Sequence, residues 1–461
     1  MKNLTIHSIA KACGGEIYDF GHDIKTQEAK SVVIDSRLAE EGSIFIATKG
    51  ERVDGHSFIE QVFDKGALAV ICEVLPENCK GVCIKVNDSF QALKDIALFY
   101  RNQLDLKIVG VTGSVGKTTT KEMIAKVLSE KYSVLFTQGN FNNEIGVPLT
   151  LLRIRDEHEV AVVEMGINSF GEMTRLTTMV KPDICVITNI GVCHLEKLID
   201  RDGVLRAKTE IFSGLSKEGF AVLCGDDDKL ITVKEVNGKK TVFFSYEDTN
   251  ANYYADNILD KGLLGSSFMI NGSAINSFEA DIRMPGKHMI SNALAATAVG
   301  KLLDMKEEEI QSGLSKCRAM GGRNEISELD GMMVIDDCYN ANPTSTKAGI
   351  DLLMKSEGKK VAILGDMLEL GEFTDSLHAE VGKYAIEKGV DSLVCIGPIS
   401  KNMYEGAKAA GGNSVFWYET VEEACNSIKS YAVSDSCVLI KASHGMHLEK
   451  VLEKFKEEFG K

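Results

Sequence analysis

The segment that most constrains this chain is Lys107-Ile108-Val109-Gly110-Val111-Thr112-Gly113-Ser114-Val115-Gly116-Lys117-Thr118-Thr119-Thr120. Ile108, Val109 and Val111 form a short apolar run that reads as a buried strand. Gly113 and Gly116 punctuate a tight turn, and Lys117 opens a helix with Ile124, Val127 and Leu128 at core spacing. Strand, glycine turn, Gly-Lys-Thr and helix together build a phosphate-binding loop. Its glycines let backbone N–H groups converge on phosphate oxygens, and the helix N-terminus adds favourable partial charge. Lys117 is placed to reach the β- and γ-phosphates, and the Thr118 hydroxyl to ligate Mg²⁺. The strict pattern asks for glycine where this chain has Val111. An ordinary glycine turn before a helix is the bland alternative; the context points instead to a bound nucleoside triphosphate.

Around that segment the chain is organised as several α/β units. At 461 residues it exceeds what one hydrophobic core supports. Residues 1–103 read as a small α/β domain with strands at Val32–Ile34, Ser43–Ala47 and Ala67–Ile71. Residues 104–316 continue from the phosphate loop as strands alternating with helices, the pattern of a parallel sheet covered on both faces. Its further strands are Val134–Phe136, Val160–Val163, Ile184–Ile187 and Ala221–Leu223. Thr241–Tyr246 and the stretch to residue 285 read as short antiparallel strands, followed by a helix carrying Leu294, Ala295, Ala298 and Leu302. Residues 317–461 start a second α/β pattern. It opens with a hairpin turning at Asp330-Gly331 and continues with strands at Val361–Leu364, Leu393–Ile396, Val415–Tyr418 and Val438–Ile440. Thr420 and Glu423 form a capping-box pair, and no G-x-G-x-x-G motif marks this unit as a dinucleotide binder.

The formal net charge of -15 excludes a general affinity for nucleic acid or an anionic membrane surface, so an anionic substrate must be met by local cations and N–H groups. Twelve cysteines are scattered without zinc-like pairing; the closest pair, Cys79 and Cys83, is spaced C-x-x-x-C. With no apolar signal core at the N-terminus and no run of membrane-spanning length, this fits a reducing cytoplasm and no membrane insertion.

Other residues gain meaning from position. Glu164 ends the run Val160–Val163, and ligands of open parallel sheets bind outside the carboxyl ends of strands, so it is a candidate Mg²⁺ ligand. His194 lies just past the next strand end, where a loop histidine by itself reads as a solvent-facing hydrogen-bonder. Asn140, Asn142 and Asn143 make most simply a turn, and Lys208 on its helix reads alone as a surface lysine. Asp35-Ser36-Arg37 and the polar loop Lys49–His56 read alone as solvated surface. Arg323 and Lys441 are cations that could meet a transferring phosphoryl group.

Taken together these stretches resemble the Mur ligases. The likeness rests on Asp35-Ser36-Arg37, Gly50-Glu51-Arg52-Val53-Asp54-Gly55-His56, Thr112–Thr119, Asn140–Pro148, Glu164-Met165-Gly166, Asn189–His194, Asn292–Ala296, Gly322-Arg323, Asp336–Pro343 and Leu364–Gly371. That family's phosphate loop also lacks the first strict glycine. Met289 departs from the family's Gly-x-His-Asn pattern, and Lys441-Ala442-Ser443-His444-Gly445-Met446 departs from Gly-Ser-Arg-Ser-Met. The resemblance implies three domains: a UDP-sugar-peptide module, a central ATPase and a Rossmann-like C-terminal domain. It also implies ADP-forming carboxylate–amine ligation through an acyl phosphate, acting as a monomer. The Tyr339–Pro343 and Gly365–Gly371 stretches point to UDP-N-acetylmuramoyl-tripeptide and D-alanyl-D-alanine as the small-molecule substrates. By the same likeness, Gly113, Ser114, Val115, Gly116, Lys117, Thr118, Thr119, Asn292 and Arg323 hold nucleotide. Thr118 and Glu164 serve one Mg²⁺, and His194 with a carbamylated Lys208 the second. Lys117, Glu164, His194 and Lys208 carry catalysis, while Ser36, Arg37, Asn140, Asn340 and Asn342 face the substrates. A folylpolyglutamate-synthetase-like ligase, a phosphate-loop kinase or an NTP switch are the alternatives.

Overall fold

The computed structural model describes all residues except 25, 51, 52, 274, 320, 433, 434 and 461. Glu51 and Arg52 of the polar loop therefore lie outside the described residues. The chain is mixed α/β, built on three main sheets whose strands are mostly parallel.

The first sheet runs, edge to edge, Glu16–Tyr18, Cys83–Lys85, Ala69–Cys72, Ser43–Ile46, Ser31–Val33. Only Glu16–Tyr18 is antiparallel to its neighbour. Its inner strands are apolar apart from Ser43 and Lys85 at their ends, because both faces are covered. Ile44 and Ile46 pack with Ile9, Leu93 and Ile96, whereas Phe45 and Ala47 pack with Ile59 and Val62 on the other side. Two helices cover the first face: Ile6–Cys13, capped by the Thr5 hydroxyl, and Ser89–Arg101, capped by Asp88. The second of these also joins the first sheet to the central unit. Tyr100 Oη donates to Ile154 O at 2.7 Å, Arg101 donates to Val180 O at 2.9 Å, and one continuous hydrophobic core runs through both units.

The central nine-stranded sheet places Lys107–Thr112 between Val160–Glu164 on one side and Ile184–Ile187 on the other. Strand order reverses there, which makes the carboxyl end of Lys107–Thr112 the topological switch point where open α/β sheets bind ligands. The expected antiparallel arrangement from residue 241 onward needs correction. Val242–Ser245 is parallel both to Phe220–Cys224 and to Tyr253–Asp260; only Ser266–Gly272 and Phe278–Ile282 extend the sheet antiparallel. The helix Lys117–Leu128 that leaves the phosphate loop packs against His288–Leu302, which is buried nearly all round and rich in alanine.

The third sheet runs Glu325–Leu329, Met332–Asp336, Ser436–Lys441, Lys359–Gly365, Ser392–Ile396, Val415–Tyr418, with the first pair antiparallel and the rest parallel. Asp330 and Gly331 both take positive φ, 47° and 76°, the geometry that two-residue hairpins require. The Thr420–Glu423 capping box forms as its spacing predicts. Separate apolar cores lie on the two faces of this sheet. Among the described residues no helix is long and apolar enough to cross a membrane.

Candidate active site

The carboxyl ends of the central and third sheets, together with Phe90 and Lys94 from the N-terminal helix, enclose a cavity of about 1300 Å³. The phosphate loop forms its floor. Gly113 sits at φ 154°, where a Cβ would fall 1.9 Å from Thr188 Oγ1, and Gly116 at φ 82° starts the helix. Neither position tolerates a side chain without strain. The loop is braced by the segment after the next strand. Val115 N donates to Asn189 Oδ1 at 2.9 Å, Thr188 Oγ1 and Asn189 Nδ2 donate to Val115 O, and Gly191 N donates to Ser114 Oγ at 2.9 Å. Lys117 Nζ donates to Gly113 O at 2.9 Å, which holds the ammonium over the loop.

One wall is a polar chain. Arg323 Nη2 donates to Thr118 Oγ1 at 3.0 Å, and Thr118 Oγ1 donates to Glu164 Oε1 at 3.2 Å. Asn142 Nδ2 donates to the same carboxylate oxygen at 2.7 Å. Glu164 is fully buried, and its Oε2 has no partner. A buried carboxylate oxygen left bare is costly unless something positive meets it. The carboxylate lines the cavity, with its other oxygen, Oε1, beside the phosphate-loop threonine, a donor pair that fits a hard divalent cation. Among the described residues no group of three or more His, Cys, Asp or Glu side chains converges. A cation at Glu164 would therefore complete its shell from Thr118, water and phosphate oxygens, as Mg²⁺ does in nucleotide sites.

His194 lines the cavity one loop away, and its Nδ1 lies 2.8 Å from Glu369 Oε2 of the third unit; the ring holds the Glu369 carboxyl below the usual range. Lys208 is 1% exposed and does not line the cavity; it lies behind the wall, near Cys193 and Lys117. The surface-lysine reading is thereby removed. Burial pushes its amine down to about 8, with the Lys117 charge acting in the same direction against Cys193. Asn292 accepts from Thr120 Oγ1 at 2.9 Å, and its amide nitrogen lies 3.7 Å from Met289 Sδ, so the unusual methionine supports the asparagine from below. Arg323 stacks 3.8 Å over the Tyr339 ring, which stacks in turn on His444.

Of the other residues singled out in the sequence, Asn140, Asn340 and Asn342 line the cavity, as do Ser114, Val115 and Thr119. Ser36 and Arg37 do not. Arg37 pairs with Asp35 at 2.7 Å and its side chain is 86% exposed. Lys441 is not a free cation: it is buried, paired with Asp337 at 2.6 Å and bonded to Asn340 O at 2.8 Å, so it orders the loop that carries Asn340. The sequence reading took Asn189 only as part of a family stretch, not as a site residue, and it missed Thr188 and Lys94. Asn189 follows the carboxyl end of a core strand, the same positional signal that singled out Glu164.

A phosphate loop at a switch point, facing loops of a second sheet across one cavity, defines a nucleotide-binding protein with room beside the nucleotide for a further molecule. Family models agree along most of the chain. The Mur ligase family, catalytic domain, matches residues 28–101; the Mur ligase middle domain, 111–300; and the Mur ligase, glutamate ligase domain, 322–444. The chain is 38% identical over 430 residues to UDP-N-acetylmuramoyl-tripeptide--D-alanyl-D-alanine ligase of Bacillus subtilis, covering 92% of each. Among solved structures it resembles MurF from Acinetobacter baumannii (TM-score 0.89, 32% identity, 98% of both chains). It also resembles the MurF ligase from Thermotoga maritima in complex with ADP (TM-score 0.81, 29% identity, 93% of this chain and 98% of that one). The chain belongs to the Mur ligase family and is an ATP-dependent, ADP-forming ligase.

Proposed function

We propose that this enzyme joins D-alanyl-D-alanine to UDP-N-acetylmuramoyl-tripeptide in the synthesis of peptidoglycan precursor. The observation that carries this reading is the near full-length likeness to relatives of that name, in both sequence and fold. The cavity supports it, because the loops after Met332–Asp336 and Lys359–Gly365 face the phosphate loop across it. Residues 1–103 bind the UDP-sugar peptide, with Ser36 and Arg37 near the nucleotide-sugar; 104–316 bind ATP; and 317–461 present the dipeptide. The enzyme acts as a cytoplasmic monomer.

A carboxylate is a poor electrophile. Its oxygen attacks the γ-phosphorus of ATP, the bond to the β-phosphate oxygen breaks, and ADP leaves an acyl phosphate. The neutral amine of D-alanyl-D-alanine adds to the acyl carbon, loses a proton, and the tetrahedral intermediate expels phosphate. Lys117 and the loop N–H groups hold charge on the transferring phosphoryl group, and Arg323, fixed by Tyr339, adds a second cation beside Thr118. Asn292 helps hold the nucleotide. Glu164 and Thr118 would hold one Mg²⁺, and His194 with a carbamate on Lys208 the other; bound there, these ions supply charge neutralisation on the phosphates. A dry, preorganised site makes each of these contacts worth more than it would be in water.

Phosphate release is expected only with ATP, the UDP-tripeptide and D-alanyl-D-alanine together. Stimulation by diaminopimelate, L-lysine or glutamate in place of the dipeptide would reassign the chain to another ligase of the superfamily. Full turnover without any acceptor would favour a kinase or switch.

Asn342 gives a finer test. Its Oδ1 accepts from Ser345 N at 2.8 Å and so caps the helix Pro343–Leu353, which leaves Nδ2 to serve substrate. Asn342→Asp keeps the cap and removes the donor. The KM for D-alanyl-D-alanine is expected to rise about tenfold, the scale of one lost hydrogen bond, with an unchanged urea midpoint. An unchanged KM would leave Asn342 as a cap alone.

A further inference from the structure

His194 and Glu369 meet across the cleft between the central and third sheets. Each sits in a left-handed backbone conformation, φ 51° and 62°, which non-glycine residues seldom adopt without a local reason. The loop that carries Glu369 is firmly held. Asp366 accepts from Ser400 N at 2.7 Å and from Ser400 Oγ at 2.6 Å, Met367 N donates to His378 Nε2 at 2.9 Å, and Leu368 N donates to Ser443 Oγ at 2.9 Å. Two residues on, Gly371 at φ 59° lies beside the segment after His194: a Cβ built there would make an ordinary contact, 3.4 Å, with the Glu196 Cα. The carboxylate is thus delivered to the histidine by a braced loop, and the two segments are neighbours again at Gly371 and Glu196.

An ionised carboxylate only accepts hydrogen bonds, so the 2.8 Å contact places the ring proton on Nδ1. That leaves Nε2 as the ring atom with a free lone pair, in a residue that lines the cavity. We propose that Glu369 is a positioning residue: reaching over from the third unit, it fixes the tautomer and tilt of His194 so that Nε2 can hold the second divalent cation. The inference rests on the metal role proposed for His194. It adds that this cation site is completed by a group on a different sheet, so the site is whole only while the two loops are together. A carboxylate behind a ligating histidine raises the basicity of the ligating nitrogen, and losing it commonly costs 10–100-fold in metal affinity. The bland alternative is an exposed ion pair, since the Glu369 side chain is 59% exposed, and such a pair would leave metal binding untouched.

The test uses Mn²⁺ as the probe, counted by electron paramagnetic resonance on the full-length enzyme with a non-hydrolysable ATP analogue. Wild type is expected to bind two ions and His194→Ala one. In Glu369→Ala the weaker ion should bind about 10–100-fold less tightly and the tighter ion as in wild type. Glu369→Gln, which keeps an acceptor at the same reach, should recover part of the loss. In turnover assays the Mg²⁺ concentration for half-maximal rate should rise in Glu369→Ala, and less so in Glu369→Gln. Circular dichroism spectra matching wild type will show that the variants fold. Wild-type Mn²⁺ affinities in Glu369→Ala, beside a lost ion in His194→Ala, would overturn the positioning role and leave the metal reading standing. Two ions retained in His194→Ala would overturn both.

Discussion

Lys117→Ala is expected to lower kcat by about three orders of magnitude or more, ~4 kcal/mol of barrier, while the protein stays folded. Among the described residues the ammonium bonds to the Gly113 and Ser114 carbonyls, both within its own loop. The loop itself is held by Thr188, Asn189 and Gly191, which the substitution does not touch. What is lost is a cation that balances charge developing on the transferring phosphoryl group, so binding of the UDP-tripeptide should change little. Steady-state phosphate release, with a thermal melt as control, reads both effects. Near-normal turnover in a folded variant would remove the phosphate-loop reading altogether.

Lys208→Ala is expected to be nearly inactive and to regain part of its rate on adding a small carboxylate such as acetate. Lys208 is buried, and no carboxylate pairs with it among the described residues. A lone buried ammonium is costly, and near Lys117 more so. A carbamate at this position turns an unfavourable cation into an anion that suits a divalent ion. The amine must be neutral to take up carbon dioxide, and burial has already lowered its pKa to about 8. Near pH 7.5 about a quarter of such amines are neutral, against about one in a thousand for an ordinary lysine. ¹³C-bicarbonate should therefore give a carbamate resonance in wild type that is missing in the variant. No resonance and no rescue would leave Lys208 a structural residue.

Local patterns were readable where the chemistry is local. The phosphate loop, the hairpin at Asp330-Gly331 and the cap at Thr420 each depend on a few adjacent residues, and all formed as expected. Val134–Phe136, three apolar residues in a row, was found, whereas Glu16–Tyr18 and Cys83–Lys85, equally short but interrupted by charged residues, were missed. The direction of Val242–Ser245 was misread because strand pairing is set by what each strand meets in space, and short alternating runs look alike in either orientation. The same limit governs the site. Glu164 was found by its place at a strand end, but its bond with Thr118 and the reach of Arg323 to that threonine join segments far apart in sequence. Lys441 illustrates the converse: its charge was visible, and its partner Asp337 was not.

The distribution of apolar cores has a consequence for how this molecule comes apart. The first and central sheets share one continuous core, whereas the third sheet is filled by two of its own. Cooperativity follows shared burial, so heating should melt the first two units in a single step and release the third on its own schedule. One melting temperature will not describe the enzyme. A molecule that touches both walls of the cleft binds only when both units are folded and apposed, so saturating it should pull the two transitions toward one.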